Sequence, residues 1–349
     1  MMDISIPYYE DKTRISNSNI GWFLNKGPAF LHKMLTEDIP EEKNPVLERG
    51  TMIHEYLLQP EEFLKDYVIW EKDKPTSVQQ EKFCKELALS AEIEPDKAVL
   101  DAYKKAYSTR GKTDETMLSE GLKIASTLKD YIDFLKSNDQ RIMISPWDYQ
   151  MLKKIRYNIE SHKLANNIIG IPGNMYDDDN NVTWFHRHEF HINWEWETLL
   201  EHSGDPNPPE LLQVKCKSLL DGLTLDFKNK KVVIYDLKTT AKLWHFEESI
   251  QMYDYLRQLA YYTMAVRWYM LTQLGIKKPS EWDFEYYIIG IDTTGSNDIR
   301  VFYIPRSAVQ SRDNTIHDAL REIFWHQTNN KWEHSREYYE GDGSETLNL

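Results

Sequence analysis

The stretch "DGLTLDFKNKKVVIYDLKTT", Asp221 to Thr240, constrains the fold more than any other. Two runs with strand-like alternation flank a turn rich in lysine and asparagine, so they read as the arms of a hairpin. Val232, Val233, Ile234 and Tyr235 form an apolar run typical of a strand buried on both faces. Such a strand needs neighbours on each side and cover above and below. A turn at Asn229 and Lys230 would pair Lys228 with Lys231 and set Asp221 opposite Lys238. Directly opposed residues share a face, and so do residues two apart. Asp221, Asp236 and Lys238 would then project from one side of the hairpin. Two neighbouring carboxylates repel unless a cation lies between them, and hard oxygen donors suit magnesium or manganese. A metal there can activate water and stabilise charge on a phosphoryl oxygen, and a lysine beside it can assist.

The rest of the chain supplies the cover. "RISNSNIGWFLNKGPAFLHKML" reads as two short helices, the first capped by Ser16 or Ser18 and the second opened by Pro28. "LERGTMIHEYLLQPEEF" is a third, stopped near Pro60. From about Thr76 to Asn167 the spacing is helical, most clearly in "ETMLSEGLKIASTLKDYIDFLKS", with Leu118, Leu122, Ala125, Leu128, Ile132 and Leu135 on one face. A helix also opens at Ser145 and Pro146. After "IPGNMYDDDNN" the period changes to that of strands: "VTWFHRHEFHINWEW", "LLQVKCKSLLDGLTLDF", "FEYYIIGIDTT" and "IRVFYIP". "SGDPNPPE" reads as a loop, and "YDYLRQLAYYTMAVRWYMLTQLG" as a long helix ending at Gly275. The tail from about Asn329 is polar and expected to fray. The expected architecture is α/β, a mixed central sheet flanked by helices, with a helical insertion. The domains are then residues 1–75 (N-terminal helices), 76–170 (insertion), 171–328 (α/β core) and 329–349 (tail).

Charge and cysteine content narrow the chemistry. The net charge of −14 argues against nucleic-acid coating by bulk electrostatics and leaves room for a local basic groove. Lys215, Lys217, Arg187 and Arg257 are candidate phosphate contacts or else solvated charges. Two cysteines, Cys84 and Cys216, cannot supply a four-cysteine zinc or iron–sulfur site, so no iron–sulfur cluster is expected. His186, His188 and His191 lack the helical spacing of metalloprotease zinc ligands and suit an edge strand facing water. No phosphate-binding loop, nucleophile elbow or dinucleotide fingerprint is present. No apolar run approaches the roughly 20 residues of a membrane span, and the acidic start "MMDISIPYYEDK" is unlike a signal peptide. The expected setting is cytoplasmic, without membrane partners. The eleven tryptophans belong to the core or the surface; some could stack on bases, but their order does not say which.

"LLDG…VVIYDLKTT" resembles the PD-(D/E)xK nuclease superfamily in its RecB/RecE-like, phage-type exonuclease branch. Asp221 and Asp236 match the two acidic positions and Lys238 the lysine; Leu220 stands where the motif nominally has proline. Asp226 is a rival first aspartate, but it sits close to the turn. Gln258 and Tyr262, four apart on one helix face, match the family's Gln-x-x-x-Tyr motif. Gly50 and His54 resemble its Gly-x-x-x-His helix, and the N-terminal helix pair resembles its Ser-x-Ser…Pro segment. The resemblance spans about 14–70 and 184–305; the helices between look like an insertion of phage-encoded members. It implies a restriction-endonuclease-like core and a metal site of Asp221, Asp236, His54 and Glu189, with Asp221, Asp236, Lys238, Gln258 and Tyr262 in catalytic roles. It also implies a Mg2+- or Mn2+-dependent exonuclease acting on duplex DNA with a free end in phage recombination or replication. Such an enzyme would work in the host cytoplasm as a homo-oligomeric ring, with a single-strand annealing protein as partner. The alternatives are a structure-specific or single-strand endonuclease and a non-catalytic DNA-binding protein of the same fold.

Overall fold

A computed structural model of the chain describes residues 6–39, 44–200 and 210–346 of the 349. The expected loop at 203–210 lies almost wholly outside them. The chain divides into two compact units, Met1–Gln59 with Lys153–Leu349, and Pro60–Leu152.

The first unit is built on a six-stranded mixed sheet. Its strands are β1 (Gly173–Tyr176), β2 (Val182–Leu200), β3 (Glu210–Asp226), β4 (Lys231–Thr240), β5 (Asp283–Asp292) and β6 (Ile299–Ile304), in that spatial order. Every neighbouring pair is antiparallel except β4 with β5. A parallel pair needs a crossover, and the helical stretch between Thr240 and Asp283 provides it. Val232, Ile234, Tyr235 and Leu237 of β4 are fully buried, as expected of a strand with neighbours on both sides.

The helices that bear on this sheet and its site are α1 (Asn17–Lys26), α2 (Pro28–Thr36), α3 (Pro45–Leu58), α4 (Tyr255–Thr272) and α5 (Asp313–Asn329). Ser16 caps α1 through a reciprocal exchange with Asn19, and prolines open α2 and α3. Leu259, Ala260, Ala265 and Val266 of α4 share one buried core with Ile234, Leu223 and Ile288 of the sheet.

The hairpin register differs from the expected one. Asp226 pairs with Lys231 and Gly222 with Tyr235, so the turn is four residues long. The Asp226 carboxylate closes it, accepting from the Asn229 amide at 3.0 Å and from Asn229 Nδ2 at 2.6 Å, while Lys230 takes a left-handed φ of 48°. The same register brings Asp221 opposite Asp236, not Lys238. The change of partner is two residues, so Asp221 stays on the face shared by Asp236 and Lys238.

Two further expectations are corrected. The C-terminal segment is not frayed at its start: Trp332 is buried and stacks on His326 at 5.3 Å and His32 at 5.0 Å, and Ser335 caps a short helix, Arg336–Glu340. In the second unit the long amphipathic stretch is two helices, Asp114–Thr127 and Lys129–Lys136. Thr127 Oγ1 bonds back to the Lys123 carbonyl, a competing local bond, and Leu128 leaves helical geometry. Its buried side chain still joins Phe83, Val99, Tyr103, Met117 and Ile132 in that unit's core.

Candidate active site

The ladder between β3 and β4 stops at Gly222 and Tyr235. Beyond that point the Asp221 carboxylate itself accepts the Leu237 amide at 2.6 Å, replacing a main-chain partner. Further along, β3 turns its edge to Ile15, which bonds the backbone of Lys215 and Lys217 at 2.8 Å each. The two strands therefore part at Asp221 and Asp236, and the acidic side chains gather there.

Three elements deliver the other groups. Glu189 lies on β2 between His188, paired with Gly222, and Phe190, paired with Leu220, so it faces Asp221 across a broken step of the ladder. Its φ is 44°, a left-handed conformation costing on the order of 1 kcal/mol for a residue with a Cβ. His54 arrives on α3. A Cβ at Gly50, one turn earlier, would lie 3.2 Å from Thr239 Oγ1 of β4, so glycine lets the helix approach the strand closely. His54 Nδ1 is 3.6 Å from Asp221 Oδ2 and 4.0 Å from Glu189 Oε1. The ligand atoms of His54, Glu189 and Asp221 all lie within 4.8 Å of one another. This trio of two hard oxygens and an imidazole could hold a divalent metal ion, and it is the one such group among the described residues.

Asp236 sits beside the trio and is held by Lys238 and Gln258. It is 1% exposed; Oδ2 is ion-paired with Lys238 Nζ, and Oδ1 accepts from Gln258 Nε2 at 3.0 Å. Gln258 Nε2 also donates to the Tyr262 hydroxyl at 2.8 Å, which fixes the orientation of the amide. The Lys238 ammonium lies 4.9 Å from the centre of the Tyr255 ring. Nothing in the order of residues singled out Tyr255; its place at the first turn of α4 is the only available signal.

The electrostatics follow from burial and crowding. Burial first, then the neighbouring carboxylates, pushes up the acids of Glu189 and Asp236, the latter to about 6. Burial also raises Asp221, against the pull of Lys238 and the Leu237 amide. His54 is driven down to about 4, by burial and then by Lys238. For Lys238 burial works against the charge, but Asp236 and Asp221 outweigh it and the net shift is upward. Acids that resist ionisation and an imidazole that resists protonation together make a site whose charge a divalent cation would balance.

The three strand histidines do not face water as expected. His186 is 2% exposed and lies between Thr224 Oγ1 at 2.7 Å and the Ile169 carbonyl at 2.6 Å. His188 Nε2 reaches the same carbonyl at 2.7 Å, and His191 packs edge-on against Tyr8 at 5.3 Å. β1 covers the start of β2, and local packing encloses the rest.

The candidate phosphate contacts divide. Lys215 is exposed; Arg187 is half-buried and donates to the Gly173 carbonyl at 3.0 Å. Lys217 is buried, giving its ammonium to the carbonyls of Tyr8 at 2.5 Å and Asp11 at 2.6 Å. Arg257 is buried against α1, bonded to Asn17 Oδ1 at 3.0 Å. Both hold the N-terminal segment in place, which corrects the reading of these two as phosphate ligands.

No family model matches the chain, and no curated protein matches it. Among solved structures, a "Putative exonuclease" from Eubacterium rectale is similar at 13% identity and a TM-score of 0.45, over 100% of this chain and 96% of that one. A likeness at that level assigns no family. No helix among the described residues is long and apolar enough to cross a membrane.

Proposed function

We propose that this chain is a Mg2+- or Mn2+-dependent deoxyribonuclease with a restriction-endonuclease-like core, digesting linear duplex DNA from an end. The observation that carries the reading is the meeting of His54, Glu189 and Asp221 within 4.8 Å beside the Asp236–Lys238 pair, from three separate parts of the chain. Asp221, Glu189 and His54 would hold the metal, with Asp236 as a further ligand. The donor chemistry fits, since hard oxygens suit magnesium and the imidazole widens the fit to manganese. A bound cation supplies Lewis-acid charge at a phosphoryl oxygen and a water of lowered pKa. Lys238, held between Asp236 and Tyr255, presents its ammonium to the attacked phosphate or to the water. Gln258 and Tyr262 act as positioning residues by fixing Asp236. With a net charge of −14, DNA contact rests on local cations such as Lys215 and Arg187.

The finer parts of the proposal are the free duplex end, a homo-oligomeric ring, a role in phage recombination beside an annealing protein, and the helices of 76–170 as an insertion into the nuclease core. The test is incubation of end-labelled linear duplex and of the same molecule as a relaxed closed circle, with manganese. The linear form should be consumed to small products while the circle survives. Equal cutting of the circle replaces the exonuclease with an endonuclease, and survival of both overturns the nuclease reading.

A further inference from the structure

The segment between β4 and α4 comes directly after Lys238 and carries large apolar side chains that the core does not take up. Trp244 is 77% exposed and Tyr253 60% exposed, although Leu243 and Phe246 beside them are buried. Single exposed aromatics are ordinary on protein surfaces. These are not single. Tyr253 stacks on Tyr255 at 5.7 Å, with 23° between the rings, and Tyr255 lies beneath the Lys238 ammonium. Tyr255 also stacks on Phe246 at 6.1 Å, and Phe246 on Phe302 at 5.0 Å. The Arg300 guanidinium bridges Phe302 at 5.1 Å and Trp244 at 5.0 Å. Tyr253 thus joins the surface to Tyr255 and Lys238 directly, while Trp244 and Arg300 are tied to the same cluster from beneath, through the buried Phe246. Lys242 is not part of it, being 3.9 Å from Glu248.

We infer that Trp244 and Tyr253 form a stacking platform for unpaired nucleotides of a DNA strand, leading to Lys238. This deepens the nuclease reading and rests on it. Every base offers a π-face and every linkage a phosphate, and each exposed ring has a cation close by, Arg300 at Trp244 and Lys238 at the Tyr255 ring on which Tyr253 stacks, so the pair matches a single strand. A duplex hides its base faces and could use only the cations. The platform therefore gives the site a place to hold bases freed at a frayed or resected end, next to the group that faces the scissile phosphate.

The test is fluorescence anisotropy with labelled oligo-dT of about twelve nucleotides in EDTA, where hydrolysis does not interfere. The native chain should bind it. Trp244→Ala and Tyr253→Ala should each weaken binding about tenfold, a change of the size that loss of one stacked base produces. Trp244→Phe should retain most of the affinity, and an abasic strand of the same length should bind the native chain no better than oligo-dT binds the double alanine variant. Both substitutions are at exposed positions, and a thermal melt verifies the fold. Unchanged affinity in the double alanine variant, equal binding of the abasic strand, no oligonucleotide binding by the folded native chain, or a preference for oligo-U over oligo-dT would each overturn the assignment. Hydrolysis of linear duplex is measured separately with manganese. No cleavage together with aromatic-dependent oligo-dT binding supports the platform and sinks only the nuclease reading. Cleavage with unchanged binding in the alanine variants sinks only the platform.

Discussion

Replacing Glu189 with glutamine should make the metal-free protein more stable. Ligand oxygens of Glu189 and Asp221 lie within 4.8 Å. Two unit charges at that separation repel by about 3 kcal/mol at an effective dielectric constant near 20. Neither side chain has much water to screen it, at 15% and 12% exposure. The sign comes from linkage. Burial raises the pKa of both acids in the folded state, and for Glu189 the Asp221 carboxylate adds to it, so the fold binds protons that the unfolded chain has released. Their contribution is most favourable below about pH 4, where both states are protonated, and it is lost as pH rises through the raised folded values. Glu189→Gln removes one charge and keeps the shape. In EDTA at about pH 8 the variant should melt roughly 6–12 °C above the native chain, from about 2–4 °C per kcal/mol for a unit of this size. The gap should close toward about pH 4, and manganese should stabilise the native chain more than the variant. Thermal melts followed by circular dichroism decide it. A variant that melts at or below the native chain in EDTA at high pH, or a native chain indifferent to manganese, would mean that the two acids neither strain the metal-free fold nor hold the ion.

Gly50→Ala should leave stability within about 1 kcal/mol, because gained helix propensity offsets the crowding against Thr239 Oγ1 at 3.2 Å. The shift of α3 should still displace His54 and weaken manganese binding about tenfold, read by calorimetry. Lys217→Ala should cost on the order of 3 kcal/mol in urea denaturation by stranding the carbonyls of Tyr8 and Asp11, while duplex affinity in the folded fraction stays unchanged. Lys215→Ala should do the reverse, lowering affinity and its salt dependence without loss of stability.

The order of residues carried the sheet and its helices because β4 is apolar on both faces and the strands around it alternate, a signal that depends only on local period. It also carried the shared face of Asp221, Asp236 and Lys238. That inference survived a wrong register because the register moved by two residues, which preserves the face. What it did not carry depends on contacts distant in sequence. The left-handed backbone at Glu189 leaves no mark in composition. The burial of Lys217 and Arg257 requires the N-terminal segment to lie against β3 and α4, so their charges looked available when they are spent. The aromatic path from Tyr255 to Trp244 joins residues more than fifty apart through Phe302 and Arg300. Gly50 shows a motif whose physical content appears only in three dimensions: its missing Cβ is what brings His54 to the acids.

The gathered acids are proposed to serve metal-dependent hydrolysis of DNA. The most direct measurement is release of acid-soluble nucleotides from linear duplex by the native chain, Asp221→Asn and Asp236→Asn, each with manganese, with calcium and with EDTA. Metal-dependent hydrolysis predicts release only by the native chain and only with manganese, while all three proteins keep the same circular dichroism spectrum. Release that persists in EDTA, or that either asparagine variant retains at the native rate, contradicts it.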